Sequence, residues 1–431
     1  MATAISDGTA AEPKKSALFG PLLIVFIGFL TTSLAQPLGV PQIAIQNLLK
    51  NSLHVGRTEN AAFFFWIGLP WYFKPFVGVF TDAFPLLGSR RKTYVTVSTI
   101  LAVISWLGLY VTPVRYNALL VVCLVIDFFM VVASTVLGAY MVEVGQTTGG
   151  SGRVTSVRQI TYWIVMMLKG PLGGLLATLA FGVTIGFSGA FLLLLVPTVA
   201  IFLHEKRVHV ESSVLIHDAT VQMGKIFRAG TMWSAAGLMA LFYMAPGFLT
   251  TVFYRQQDVL HLGVTQIGYL NGIQGAAGIV SAVSYAYLTS KFNLRTLLFG
   301  CLSLATIATL CYAHYNTYAQ ARIAEGLYGM GYAFAECALM NLAIRGTPKG
   351  SEGLGFALMM SVRNFGLYGT DIFGSWLTDK YHVSFATLVV ANAVTTAMAV
   401  SLVALLPLAM VGHKDAELPA GVPVGKMAPE E

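Results

Sequence analysis

Long apolar runs, each closed by a short polar cluster, recur along the whole chain. Hydrophobic residues are continuous within a run rather than alternating, which predicts helices and argues against strands. Twelve runs can be marked, at roughly 18–37, 59–82, 93–112, 116–143, 158–180, 183–203, 231–254, 265–289, 296–314, 317–344, 354–378 and 383–411. Each approaches or exceeds the roughly 20 residues with which a helix crosses a bilayer while satisfying its own backbone hydrogen bonds. Pro37 and Pro41 follow the first run, so a kinked helical extension through about Lys50 is expected.

Composition agrees. Of 431 residues, 56% are hydrophobic and only 10% charged, against about 25% charged in ordinary soluble domains. Such a chain lacks the charge to cover a water-facing surface, and continuous runs exclude a transmembrane barrel. The net charge of +7 does not point to nucleic acid, because the cations sit in short loops between runs. Six of the 26 Lys and Arg lie on one side (Lys50, Arg57, Arg115, Arg255, Arg322, Lys380) and three lie within runs (Lys74, Lys169, Arg363). The remaining 17 share a side with both tails, which predicts cytoplasmic tails. The first 17 residues are polar and include Asp7 and Glu12, so the first span is expected to act as its own insertion signal. Cys123, Cys301, Cys311 and Cys337 all fall within runs and read as small buried hydrophobes, not as a disulfide framework or metal set.

The longest connection, roughly 204–230, divides six runs from six. The expected organisation is a tail (1–17), a six-helix bundle (18–203), a linker (204–230), a second six-helix bundle (231–412) and a tail (413–431). Within the linker, Val221 to Phe227 with Lys225 and Arg228 reads as a surface amphipathic helix. The halves echo weakly: the turn after span two has a thinner counterpart at Thr289 to Arg295. Ser156-Val157-Arg158-Gln159 resembles Ser361-Val362-Arg363-Asn364, although run boundaries place the tetrads at different depths. Gly268, Gly272, Gly275 and Gly278 in span eight, and Gly366, Gly369 and Gly374 in span eleven, suit close helix packing.

An ionised side chain at bilayer depth costs about 2.5–3.5 kcal/mol even on the lenient insertion scale. Each is therefore a candidate site residue or a member of a structural pair. Asp127 and Lys169 fall near the midplane on consecutive spans and could bridge. Glu336 and Arg363 share an inner-half depth and could pair. Glu325 and Asp371 share an outer-half depth, where two acids that approach would suit proton coupling; each could equally be satisfied separately. Lys74, between Tyr72 and Pro75, could hold an anionic group, and Phe63, Phe64, Phe65, Trp66, Trp71 and Tyr72 could stack a flat ring or face lipid.

The stretch Pro70 to Lys92 carries most information: Lys74 within an apolar helix, Asp82 at its end, a turn through Pro85 and Gly88, then Arg90, Arg91 and Lys92. Asp82, Arg90 and Arg91 are expected to form a cytoplasmic gate whose contacts exist in one state only. No Walker loop, HExxH, Cys-x-x-Cys or GxSxG occurs, and Gly149-Gly150-Ser151-Gly152 reads as a flexible inner loop. No cofactor is expected, and a polytopic membrane enzyme is the weaker alternative.

Two bundles of six spans and the Gly78…Asp82…Gly88…Arg90-Arg91 turn resemble the major facilitator superfamily over essentially the whole chain. A narrower resemblance is to the folate–biopterin transporter family, at Leu48-Leu49-Lys50, at Trp71-Tyr72-x-Lys74-Pro75-x-x-Gly78-x-x-x-Asp82, through Pro85, Gly88, Arg90, Arg91 and Tyr94, and at Val142-Glu143. That family usually carries an Asp upstream of this Glu, where Ser134 and Gly138 stand here. The resemblance implies an all-α secondary active transporter with two pseudo-symmetric bundles, alternating access and a midplane site. It implies a folate- or pterin-like anionic substrate, proton coupling and a substrate or coupling role for Lys74. A facilitator-type exporter of drugs or other metabolites is the alternative within transport. A monomer in a bacterial inner membrane, surrounded by lipid, completes the expectation.

Overall fold

The computed structural model describes residues 15–148, 151–205, 212–348 and 351–414. Most of both tails, Gly149 and Gly150 of the inner loop, and 206–211 of the linker lie outside the described residues. Every expected span has a helical counterpart. The first half holds Lys15–Leu34, a second span in three pieces (Arg57–Ile67, Leu69–Tyr72, Lys74–Ala83), Lys92–Gly108, Tyr116–Thr148, Ser151–Leu176, and a sixth span in two pieces (Phe181–Leu193, Leu195–Phe202). The second half holds a seventh span in two pieces (Gly230–Tyr243, Leu249–Asp258), then Val264–Leu288, Leu294–Leu310, Tyr318–Gly346, Glu352–Tyr381 and Phe385–Leu402. The kinked extension after span one is present as Gln42–Asn47 and Leu48–Ser52, and the linker helix runs Ser212–Arg228.

Local sequence explains the breaks. Pro70 and Pro75 each sit just inside a helix start, splitting span two around Gly68 and Phe73. Span seven opens at Ala245-Pro246-Gly247. Elsewhere short polar side chains cap helix starts by accepting a backbone N–H: Asn293 from Thr296, Thr317 from Gln320, Ser384 from Thr387.

The two largest buried apolar clusters belong to different halves. One core gathers around Trp106, Ile126 and Met130; another, built on Leu298, Leu302 and Leu339, belongs to the second half. Large side chains such as Leu405, Val283 and Ile307 stay more than 60% exposed around the periphery, where acyl chains rather than water would meet them. Five helices among the described residues are by themselves long and apolar enough to cross a membrane. This is an integral membrane protein.

Spans five and eight cross between the halves at glycine. A Cβ added at Gly268 would lie 2.6 Å from the Gly170 carbonyl oxygen, and one at Gly275 would lie 2.5 Å from that of Met166. Only glycine allows backbones this close. Span five also begins seven residues earlier than hydropathy places it (158 against Ser151), which moves Arg158 from the membrane edge to two turns inside the helix.

Candidate functional site

The broken second span turns Lys74 toward span four. Its ammonium donates to the Ser134 hydroxyl at 3.2 Å and lies 4.7 Å over the Trp71 ring. Asp127 precedes Ser134 by seven residues, two helical turns, and so shares its face. The Asp127 side chain is fully buried, and neither carboxylate oxygen has a hydrogen-bond partner. The buried Trp71 indole N–H lies beside it, near enough to act as a donor but outside full hydrogen-bond geometry. Tyr72 and, from the other half, Tyr368 lie within electrostatic reach of this carboxylate.

The second half contributes the expected ion pair: Arg363 Nη2 meets Glu336 Oε1, while Nη1 donates to Asn364 at 2.9 Å. The pair lies deep in the bundle, yet its side chains keep 19% and 18% exposure, so it borders an opening rather than a sealed core. The Arg363 guanidinium lies 5.5 Å from the Tyr243 ring centre, and Tyr162 of the first half is within electrostatic reach of both Arg363 and Glu336. Phe65 and Tyr72 each place a ring 5.7 Å from Phe365. Lys74, Asp127, Glu336 and Arg363 thus gather along one seam between the halves. Of the expected aromatic set, Phe63 and Phe64 instead fill the first-half core, and Trp66 is half exposed.

Two of the possible pairings are absent. No bridge joins Asp127 to Lys169, and among the described residues Lys169 has no ion pair; Gly170, pressed on Gly268, fixes the rotation of span five and leaves Lys169 beside that crossing. Glu325 and Asp371 do not face each other. Glu325 accepts from Tyr312 (2.7 Å), Tyr315 (2.9 Å) and Gln256 (3.3 Å). Asp371 accepts from Thr250 through both N–H (3.0 Å) and hydroxyl (2.6 Å), capping the helix Leu249–Asp258 that restarts after the break. Gly247 lies against the Asp371 backbone, where a Cβ would come within 2.6 Å, so the break and its cap form one device.

The cytoplasmic gate also differs. The Asp82 side chain is outside the described residues. Around Arg90 and Arg91 the organising group is Glu205, whose carboxylate accepts from the Ser89 hydroxyl (2.6 Å) and from the backbone N–H groups of Arg90 (2.8 Å), Arg91 (3.1 Å) and Lys92 (3.0 Å). Burial alone would raise the Glu205 pKa; the Ser89 hydroxyl and the three N–H groups outweigh it and hold the carboxyl below its ordinary value. Arg91 Nε also lies 3.5 Å from Glu143. Glu205 follows span six, so these contacts belong to the first half rather than bridging the two.

The bridges between halves lie on the opposite side. Asp379 accepts from Arg57 Nη1 (3.0 Å), the Thr58 N–H (2.9 Å) and the Thr58 hydroxyl (2.8 Å). Lys50 pairs with Asp258, the Tyr254 hydroxyl donates to the Val55 carbonyl, and Gln257 donates to Asn47 at 3.2 Å. Sequence reasoning missed this set, together with Glu205 and Arg158. Lys50 stood within a motif, and Arg158 within the echoed tetrad, so signals existed for both. Nothing local marked Asp379 or Glu205.

Against solved structures, the chain is similar in fold to a D-xylose-proton symporter (TM-score 0.68, 12% identity, covering 90% of this chain and 97% of that one). An inward-open xylose transporter from E. coli gives a TM-score of 0.66 at 12% identity, covering 90% and 95%. The fold is therefore that of the major facilitator transporters. Among relatives, the chain is 24% identical to folate transporter 1 of Plasmodium falciparum (79% of this chain, 70% of the relative). It is 22% identical to the folate-biopterin transporter of Synechocystis (86% and 79%). The model of the BT1 family matches residues 36–418, nearly the whole chain, and the protein therefore belongs to the BT1 family.

Proposed function

We propose that this chain is a secondary active transporter that moves a small anionic metabolite, of the folate or pterin kind, by proton-coupled alternating access. The observation that carries the reading is the Arg363–Glu336 pair, placed across the seam from Lys74 and Asp127 and still open to solvent. A bilayer tolerates such groups where they line a wet path. The relatives, a folate transporter and a folate-biopterin transporter, supply the substrate class. Asp127, a fully buried acid without a cation partner among the described residues, is the group we assign to the coupling proton, because an ionised carboxylate is costly in that setting. Lys169, Glu325 and Asp371 are read as supporting groups: Glu325 and Asp371 hold the outer half of span seven, and Lys169 lines the crossing of spans five and eight.

The latched outer side supports reading this conformation as the inward-facing arm of the cycle. Both tails and the linker are assigned to the cytoplasm, with bundles at 18–203 and 231–412, and the working unit is taken as a monomer. The test is uptake into proteoliposomes of folate, biopterin, amino acids and hydrophobic dyes, with and without a pH gradient. Folate or biopterin uptake that follows the gradient supports the proposal; uptake of dyes alone would move it to an exporter of the facilitator type.

A further inference from the structure

We infer that Lys74 and Arg158 form a paired-cation subsite for a carboxylate of the substrate, left open because Ser134 stands where the other half carries an acid. This rests on the transporter reading above.

The argument is one of internal repetition. Spans four and ten begin at Tyr116 and Tyr318, and Ser134 and Glu336 stand equally far along them (116 to 134, 318 to 336). Spans five and eleven end at Leu176 and Tyr381, and Arg158 and Arg363 stand equally far before those ends (158 to 176, 363 to 381). The tetrads Ser156-Val-Arg158-Gln159 and Ser361-Val-Arg363-Asn364, which hydropathy placed at different depths, are therefore structural equivalents. In the second half the equivalence is complete: Glu336 neutralises Arg363. In the first half it is broken. Ser134 contributes only a hydroxyl, and that hydroxyl accepts from a second cation, Lys74.

Arg158 is exposed, with its guanidinium 5.3 Å from the Phe29 ring centre and within electrostatic reach of Lys74. Among the described residues no carboxylate lies within ion-pair distance of either cation; Asp127, buried behind Trp71, makes no bond to Lys74. Two cations that repel each other and lack a counter-charge attract an anion between them, and a guanidinium fork suits a planar carboxylate in particular. Folate brings two carboxylates on its glutamyl tail, whereas biopterin brings none. The subsite thus gives the carrier a means to favour carboxylated over neutral pterins.

The decisive variant is Ser134→Glu, which installs the acid that the repeat lacks. In proteoliposomes it is expected to raise the KM for folate at least tenfold while leaving biopterin uptake within twofold, and Arg158→Gln is expected to do the same. Ser134→Gln, of Glu's size but without its charge, should raise the folate KM by less than Ser134→Glu does. Ser134→Glu with an unchanged folate KM overturns the subsite even where the transporter reading stands. A separate binding arm uses detergent-solubilised protein and p-aminobenzoylglutamate as probe, with inorganic phosphate alongside. Thermal stabilisation of wild type, lost in Ser134→Glu and greater for the carboxylate than for phosphate, supports the subsite whatever the carrier moves. No stabilisation of wild type, or stabilisation by phosphate alone, overturns it.

Discussion

Replacing Asp379 with alanine removes three contacts that tie span eleven to the start of span two on the face opposite the linker helix, here termed the outer side. A hydrogen bond to a charged group contributes about 1.5–3 kcal/mol, and a partly exposed ion pair about 1 kcal/mol or less. Here the Arg57 and Asp379 side chains are 33% and 31% exposed, and water replaces their bonds when the outer side opens. The low end of the range is therefore appropriate, about 2 kcal/mol for the set. At 1.4 kcal/mol per factor of ten, that is a shift of roughly 30-fold in the ratio of outer-closed to outer-open molecules. Spin labels at Val114 and Tyr381, exposed outer positions on opposite halves, report the ratio by pulsed distance measurement in a background with the four cysteines replaced. The longer-distance population should grow in Asp379→Ala, and grow further when Lys50→Ala also removes the pair with Asp258. An unchanged distance distribution in the double variant would refute the assignment of these contacts to a gate.

Arg363→Ala leaves a half-buried Glu336 without its partner and should lower stability by less than the about 3–5 kcal/mol of a fully buried pair, with Arg363→Ala/Glu336→Gln recovering part of that loss; thermal melting in detergent measures both, and transport should be lost in each. Because the folded-state pKa of Glu205 is depressed, its contribution to stability is present above the ordinary carboxylate range and disappears as pH falls through the folded value. Glu205→Gln should therefore remove that acid-side dependence from the melting profile. Gly268→Val drives side-chain atoms into the Gly170 backbone and should abolish uptake while the protein still reaches the membrane, as judged by surface labelling. Asp371→Ala removes the cap of Leu249–Asp258, a loss of about 1–2 kcal/mol, and should speed hydrogen exchange across 249–258 more than across 230–243.

Helix positions were readable because the bilayer imposes one rule on every span, continuous apolarity over a fixed length. The Glu336–Arg363 pair was readable for a related reason, since depth along two adjacent antiparallel spans nearly determines whether opposite charges can meet. Depth alone failed for Asp127 and Lys169, because meeting also requires the right helix rotation, and a glycine contact with span eight sets that rotation. Glu325 and Asp371 found partners, Tyr312, Tyr315 and Thr250, that carry no charge and so left no mark in a search for ionised residues. Arg158 was misplaced by a different route. The polar first two turns of span five look like loop by hydropathy, yet they continue the helix.

The interruption at Ala245-Pro246-Gly247 makes the ten residues Leu249–Asp258 a separate leaf. One edge is fastened within its own half through Thr250 and Gln256, and the other is bolted to the opposite half through Tyr254 and Asp258. A door hung this way can swing by changing a few backbone torsions at its hinge, while Gly230–Tyr243 stays seated in its oily socket. Opening that face then requires a handful of polar bolts to be drawn, and no wholesale rearrangement of the surrounding bundle.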